Sequence, residues 1–246
     1  MSSKQYLKFL LLVVIVASAT FYLGGRFYMD RRLKSPEERI NLAREAMIGG
    51  YEQGSLELFR PLAENGDREA QYWLGHMYDA GLGVERNPTE AIGWVRKAAE
   101  QGFTPAEFRL GQMYRDGIGT LQDFEQAMKW LKRAAGGGNR IAMRSVGELY
   151  ERGWGVTEDL VSAYAWYSVA AAAGDPLAVH LRQAVLDRIG GEQIAEGEKK
   201  AEELQTALGV LEPSRGKDAK DTKDTKDVKG SKDAKGSKGA KGAKAD

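Results

Sequence analysis

The chain has no cysteine at all. That excludes disulfides, thiol nucleophiles, cysteine-ligated zinc and a lipidated N-terminal cysteine, but it selects no compartment, because a cysteine-free chain suits oxidising and reducing surroundings equally. Histidine is nearly absent as well: only His76 and His180 occur, roughly a hundred positions apart. No HExxH, GxSxG or Walker pattern is present, and there is no SxxK motif suited to a serine nucleophile. With only two histidines, far apart, and none of these motifs, the sequence points away from an enzyme, and no cofactor or metal is expected. Proline is scarce too, at 6 of 246 residues, which leaves long stretches free to be helical.

A single long apolar run is present. Residues 9–25, FLLLVVIVASATFYLGG, carry no charge. At about 1.5 Å per residue this run reaches roughly 25 Å, close to the hydrocarbon thickness of a bilayer. Lys8 and Arg26 flank it, Tyr6 and Phe9 lie near one boundary, and Tyr22, Phe27 and Tyr28 near the other. Residues 6–28 are therefore expected to meet a lipid bilayer as a single-pass, uncleaved signal anchor. The competing reading is a cleaved signal peptide, with Lys4 and Lys8 in its basic region and Ala17-Ser18-Ala19 as its cleavage site. Apolar length continuing through Phe21, Tyr22 and Leu23 favours retention. Arg26, Arg31, Arg32 and Lys34 after the run would by themselves keep the body in the cytoplasm.

The net charge of +1 conceals a segregation. Residues 35–212 hold 19 Lys+Arg against 28 Asp+Glu, a balance of −9, whereas residues 1–34 (6 against 1) and 213–246 (11 against 6) each carry +5. An acidic body is a poor nucleic-acid ligand, since phosphate contacts need clustered cations. In the tail, lysine recurs every third residue from Lys217 to Lys244 with no apolar period. Residues 213–246 are expected to be disordered, either a solvated tether or a weak holder of an anionic polymer.

Between these ends the sequence repeats. Gly75, Gly111 and Gly147 lie 36 apart, as do Tyr78, Tyr114 and Tyr150; Gly81, Gly117 and Gly153; Gly83, Gly119 and Gly155; and Trp94, Trp130 and Trp166. The Ala-Ala pairs at 98–99, 134–135 and 170–171 and the closing Gly102, Gly138 and Gly174 keep the same interval. Each copy reads as two helices, near 68–80 and 88–101 in the first. The first helix is expected to bury Ala70, Leu74, Met77 and Tyr78, and the second Ala91, Trp94, Ala98 and Ala99. Asn87, Asp123 and Asp159 suit N-caps, with Glu90 and Gln126 completing capping boxes. Gly75 and its equivalents lack a Cβ and should let the partner helix approach closely. One helix pair cannot bury these side chains alone, but stacked pairs can.

The pattern AxxxLGxxYxxGxGV, followed by an N-cap, AxxW and AAxxG, resembles the Sel-1-like repeat family, a relative of the tetratricopeptide repeats. Thr120 stands where the loop valine is expected, and Val146 where the leucine is. The resemblance implies an all-α, right-handed α-solenoid of antiparallel helix pairs, with copies at 67–102, 103–138 and 139–174. A degenerate first copy occupies 35–66, and terminal capping helices occupy 175–212, with the last near 191–205. It further implies an adaptor that holds a protein or peptide on a concave face, in a membrane-associated or periplasmic assembly. For this chain that gives a scaffold anchored in a bacterial inner membrane, its repeats leaning periplasmic, in an envelope assembly or regulatory process. By register, the concave face comprises Tyr72, His76 and Asp79; Phe108, Gln112 and Arg115; and Arg144, Glu148 and Glu151. The alternative is an envelope-polymer or other anionic-polymer binding module acting through the basic tail. A small-molecule substrate is not expected. Trp73, which has no aromatic counterpart at Arg109 or Ser145, reads as covering the junction to the degenerate first copy.

Overall fold

The computed structural model describes residues 35–210, and the N-terminal apolar run and the lysine-rich tail lie outside them. Among the described residues ten helices follow one another: α1 (Pro36–Ile48), α2 (Glu52–Glu64), α3 (Arg68–Ala80), α4 (Pro88–Glu100), α5 (Thr104–Asp116), α6 (Phe124–Gly136), α7 (Arg140–Arg152), α8 (Leu160–Ala172), α9 (Pro176–Leu186) and α10 (Gly191–Leu208). Among the described residues no helix is long and apolar enough to cross a membrane.

Helix starts follow local chemistry. The side chains of Asn87, Asp123 and Asp159 each accept from the backbone N–H three residues on, at 3.1, 2.9 and 2.9 Å. The expected reciprocal bonds do not form. The Glu90 carboxylate instead accepts from Trp94 Nε1 at 2.9 Å, on the same helix face, so the second half of that capping box is lost to an indole. Gln126 likewise makes no return bond to Asp123. A complete box forms at Ser35 and Glu38, opening α1. The paired first helices are capped too, by Asp67, Asn139 and Asp175. Phe103 holds that position before α5 and caps nothing. Its ring instead packs edge-on against Tyr72, with Arg68 over its face.

Each helix packs on the next from α1 to α9, and α10 folds back on α8 rather than on α9. Ala70, Leu74 and Met77 are buried as expected, and so are Ala91, Ala98 and Ala99. Two aromatic expectations need correction: Tyr78 and Trp94 are only half-buried, although Trp130 and Trp166 are buried. The cause for Trp94 is its polar edge, which stays with Glu90 at the surface while Lys97 covers its face. Trp73 stacks on Phe59 and packs into the first-copy core, so it covers that junction.

Two devices join successive copies. A cation on the second helix reaches the tyrosine of the next first helix: Arg60 to Tyr78 at 3.4 Å, Arg96 to Tyr114 at 2.9 Å and Lys132 to Tyr150 at 2.9 Å. The second loop glycine of each copy also rests on the start of the preceding second helix. A Cβ on Gly83 would meet Glu52, one on Gly119 would meet Pro88, and one on Gly155 would meet Phe124. These glycines shape the turn, as expected, and in addition form the seam between copies.

Candidate partner-binding face

The nine residues of the expected face are all half-buried, so none is a fully solvated surface group. The structure divides them. Five are held by neighbours within the fold. Asp79 accepts from Arg109 of α5 and lies 3.8 Å from Arg86. Arg115 forks onto Asp116. Arg144 bridges Glu148 at 2.8 Å and Asp175 at 3.1 Å, tying α7 to the cap of α9. Glu151 accepts from the Tyr167 hydroxyl at 2.7 Å and from Arg188 at 2.6 Å. Burial, and then the bond to Glu151, push the Tyr167 phenol well above its ordinary range, so this hydroxyl stays protonated.

Asp175 shows how such a pair sustains the terminal unit. Burial raises its carboxyl pKa, but bonds from Arg144 and from the Ala178 and Leu177 amides outweigh that and hold it below the usual carboxylate range. A depressed folded pKa gives stability that is present above the unfolded value, near about 4, and lost as pH falls through the folded one. Asp175→Asn should therefore cost about 1–3 kcal/mol at neutral pH. In thermal melts the penalty should vanish once the wild-type carboxyl is protonated, and a penalty independent of pH would contradict the ion pair. Arg144, held by Glu148 on its own helix, thus ties α7 to the cap of α9.

At the other end Tyr72, His76, Phe108 and Gln112 are differently placed. Phe108 packs towards the α7 core, and Gln112 meets Arg109 at 3.5 Å. The Tyr72 ring lies edge-on to Trp73 and Phe103, and its hydroxyl makes no hydrogen bond among the described residues. His76 packs edge-on against Trp73 at 5.8 Å. Its Nδ1 is the single buried side-chain polar atom without a hydrogen-bond partner among the described residues. Burial, and then the Arg109 charge, lower the His76 pKa against a partial offset from Asp79. The imidazole is accordingly neutral at physiological pH, with an acceptor or donor nitrogen unspent. Arg109, Asp175 and Arg188 complete the ion pairs and were absent from the expected face. Asp175 carried a readable signal, since it stands in register with the caps Asp67 and Asn139. Among the described residues no cluster of three or more His, Asp or Glu side chains could hold a metal.

The repeat geometry matches a known family directly. The Sel1 repeat model matches residues 68–103, 104–139 and 140–175, one residue later than the boundaries read by eye. Residues 68–175 are three consecutive Sel1 repeats. The Sel1 repeat protein from Oxalobacter formigenes is 29% identical with a TM-score of 0.57, over 69% of this chain and 74% of that one. The c5321 protein, a protective antigen present in uropathogenic Escherichia coli strains and displaying an SLR fold, is 24% identical with a TM-score of 0.52. That second match covers 78% of this chain but only 51% of c5321, and it bears on the fold alone. No curated protein matches the chain. Sel1-repeat proteins are protein-interaction scaffolds, typically without catalysis.

Proposed function

We propose that this Sel1-repeat chain is a membrane-tethered scaffold that captures a protein or peptide partner on its first-helix face, in a bacterial envelope assembly or regulatory process. The supporting observation is the concentration of unspent groups at α3. The Tyr72 hydroxyl and His76 Nδ1 lack hydrogen-bond partners in an otherwise paired row. A buried polar atom left unpaired costs about 1–3 kcal/mol, which is recovered if the His76 ring turns outward to meet a partner's backbone amide or hydroxyl. The aromatic wall of Tyr72, Trp73 and Phe103 around them is the kind of surface that anchors partners. Tethering rests on the charge-free run at 9–25. Periplasmic placement is read from the family's habit, and reporter fusions after Lys34 and after the C-terminus test it directly.

The expected result is that full-length protein in detergent captures a partner which Tyr72→Phe with His76→Phe releases, weakening binding by about tenfold or more while the melting temperature holds because both rings are kept. Undiminished capture by the double variant would sink this face as the binding site. Deleting residues 213–246 separates the scaffold from the alternative reading, in which the +5 tail holds an anionic polymer. If capture disappears with the tail, the polymer reading replaces the scaffold.

A further inference from the structure

Next to α3 in the array, α2 carries a groove of about 310 Å³ lined by Gln53, Leu56, Glu57, Arg60, Pro61 and Glu64. Its floor is apolar, from Leu56 and Pro61, and its rim is acidic. Arg60 is committed to Tyr78. Glu57 and Glu64 form no ion pair among the described residues, and with the Arg60 guanidinium between them the rim holds two carboxylates against one cation. Such a groove fits a segment that is basic and apolar at once.

We propose that the occupant is this chain's own residues 27–34, FYMDRRLK, lying along α2. Three observations meet here. Residues 27–34 hold three cations, Arg31, Arg32 and Lys34, against the one carboxylate of Asp30, opposite in sign to the rim, and Phe27, Tyr28, Met29 and Leu33 supply apolar matter for the floor. The segment also enters at the right place. Ser55 Oγ donates to the Ala43 carbonyl at 2.9 Å, which fixes the antiparallel register of α1 and α2 and brings Ser35 beside the last turn of α2. Finally, the reach is sufficient. Eight residues extend to roughly 26 Å, and the groove from Gln53 to Glu64 needs roughly 16 Å. These constraints set a direction: Leu33 lies near Glu64 and Phe27 near Gln53, with the segment running parallel to α2. The docking would hold the first copy at a fixed attitude to whatever residues 9–25 are inserted in, and it stands whether or not the α3 face binds a partner.

The cysteine-free background makes the test clean. In the full chain, oxidation of the pairs Phe27→Cys with Gln53→Cys and Leu33→Cys with Glu64→Cys should form intramolecular disulfides. They should form about tenfold or more faster than Phe27→Cys with Leu121→Cys, a control on a fully exposed loop, because a docked segment raises the effective concentration. The crossed pair, Phe27→Cys with Glu64→Cys, should be slow. Adding Glu57→Lys should slow the docked pairs while circular dichroism stays unchanged. A crossed pair that closes as fast as Phe27→Cys with Gln53→Cys, which tethering at Ser35 alone would give, would overturn the proposal. Disulfides that appear only between molecules would overturn it too, by assigning the groove to a second chain.

Discussion

Gly119→Ala should be among the most damaging single-methyl changes in the protein, lowering stability by about 3–5 kcal/mol. Two costs coincide there. Gly119 sits at φ +71°, in the left-handed region where an L side chain costs about 1–2 kcal/mol. Its new Cβ would also collide with the Pro88 carbonyl oxygen and stand 2.6 Å from the carbonyl carbon. The obstacle is backbone at the first turn of α4, so no rotamer change relieves it. Gly117→Ala is the internal control. Its φ of +70° is the same, but its nearest neighbours lie at ordinary contact distance, from 3.4 Å outward. It should lose only the conformational part, about 1–2 kcal/mol. Thermal melts compare the two directly, and for a domain of this size Gly119→Ala should melt roughly 10 °C lower. Equal losses at 117 and 119 would show that the seam between copies is not tight.

The second large effect is Gly111→Leu, expected to cost about 3 kcal/mol, towards the upper end for overpacking. Even a bare Cβ at 111 would lie 2.7 Å from Leu131 Cγ and 3.2 Å from the Leu131 amide. Leu110, Met113 and Leu131 around it are completely buried, so the added carbons have nowhere to go. Gly111→Ala should be milder, since the Leu131 side chain can give way by a few tenths of an ångström. Gly93→Ala, mid-helix with nothing within 4 Å, should instead stabilise by up to about 1 kcal/mol. A Gly111→Leu variant that unfolds in urea at the parent's midpoint would refute the close approach of α5 and α6.

Much of the fold was legible because it is periodic. Glycine, tyrosine and alanine recurring every 36 residues placed α3 through α8 to within a residue, and the capping helix read near 191–205 spans Gly191–Leu208. Pairing within the face was not legible, and the reason is physical. Comparing copies lines up equivalent positions, whereas the ion pairs join different ones: Asp79 with Arg109, Arg144 with Asp175, Glu151 with Arg188. None of these recurs, so no period reports it. The diverted Glu90 failed for a related reason: the capping-box spacing was satisfied, but Trp94 one turn later offered its carboxylate a competing donor. In the sequence His76 is only one of two histidines and a member of the expected face, and the packing of Trp73 and the orphaned Nδ1 give it chemical content.

The cation–tyrosine link between copies spans 18 residues each time, half the repeat. At the fourth position the partners are Ser168 and Leu186, and Ser168 turns back to the Tyr164 carbonyl instead. Within the stapled array, any 36-residue window therefore contributes one cation and one tyrosine, wherever it is cut. A tandem duplication with arbitrary endpoints would insert a copy already stapled on both sides. Lengthening is thus mutationally cheap along the middle of the molecule and blocked after Ala172, where the fastener has no counterpart.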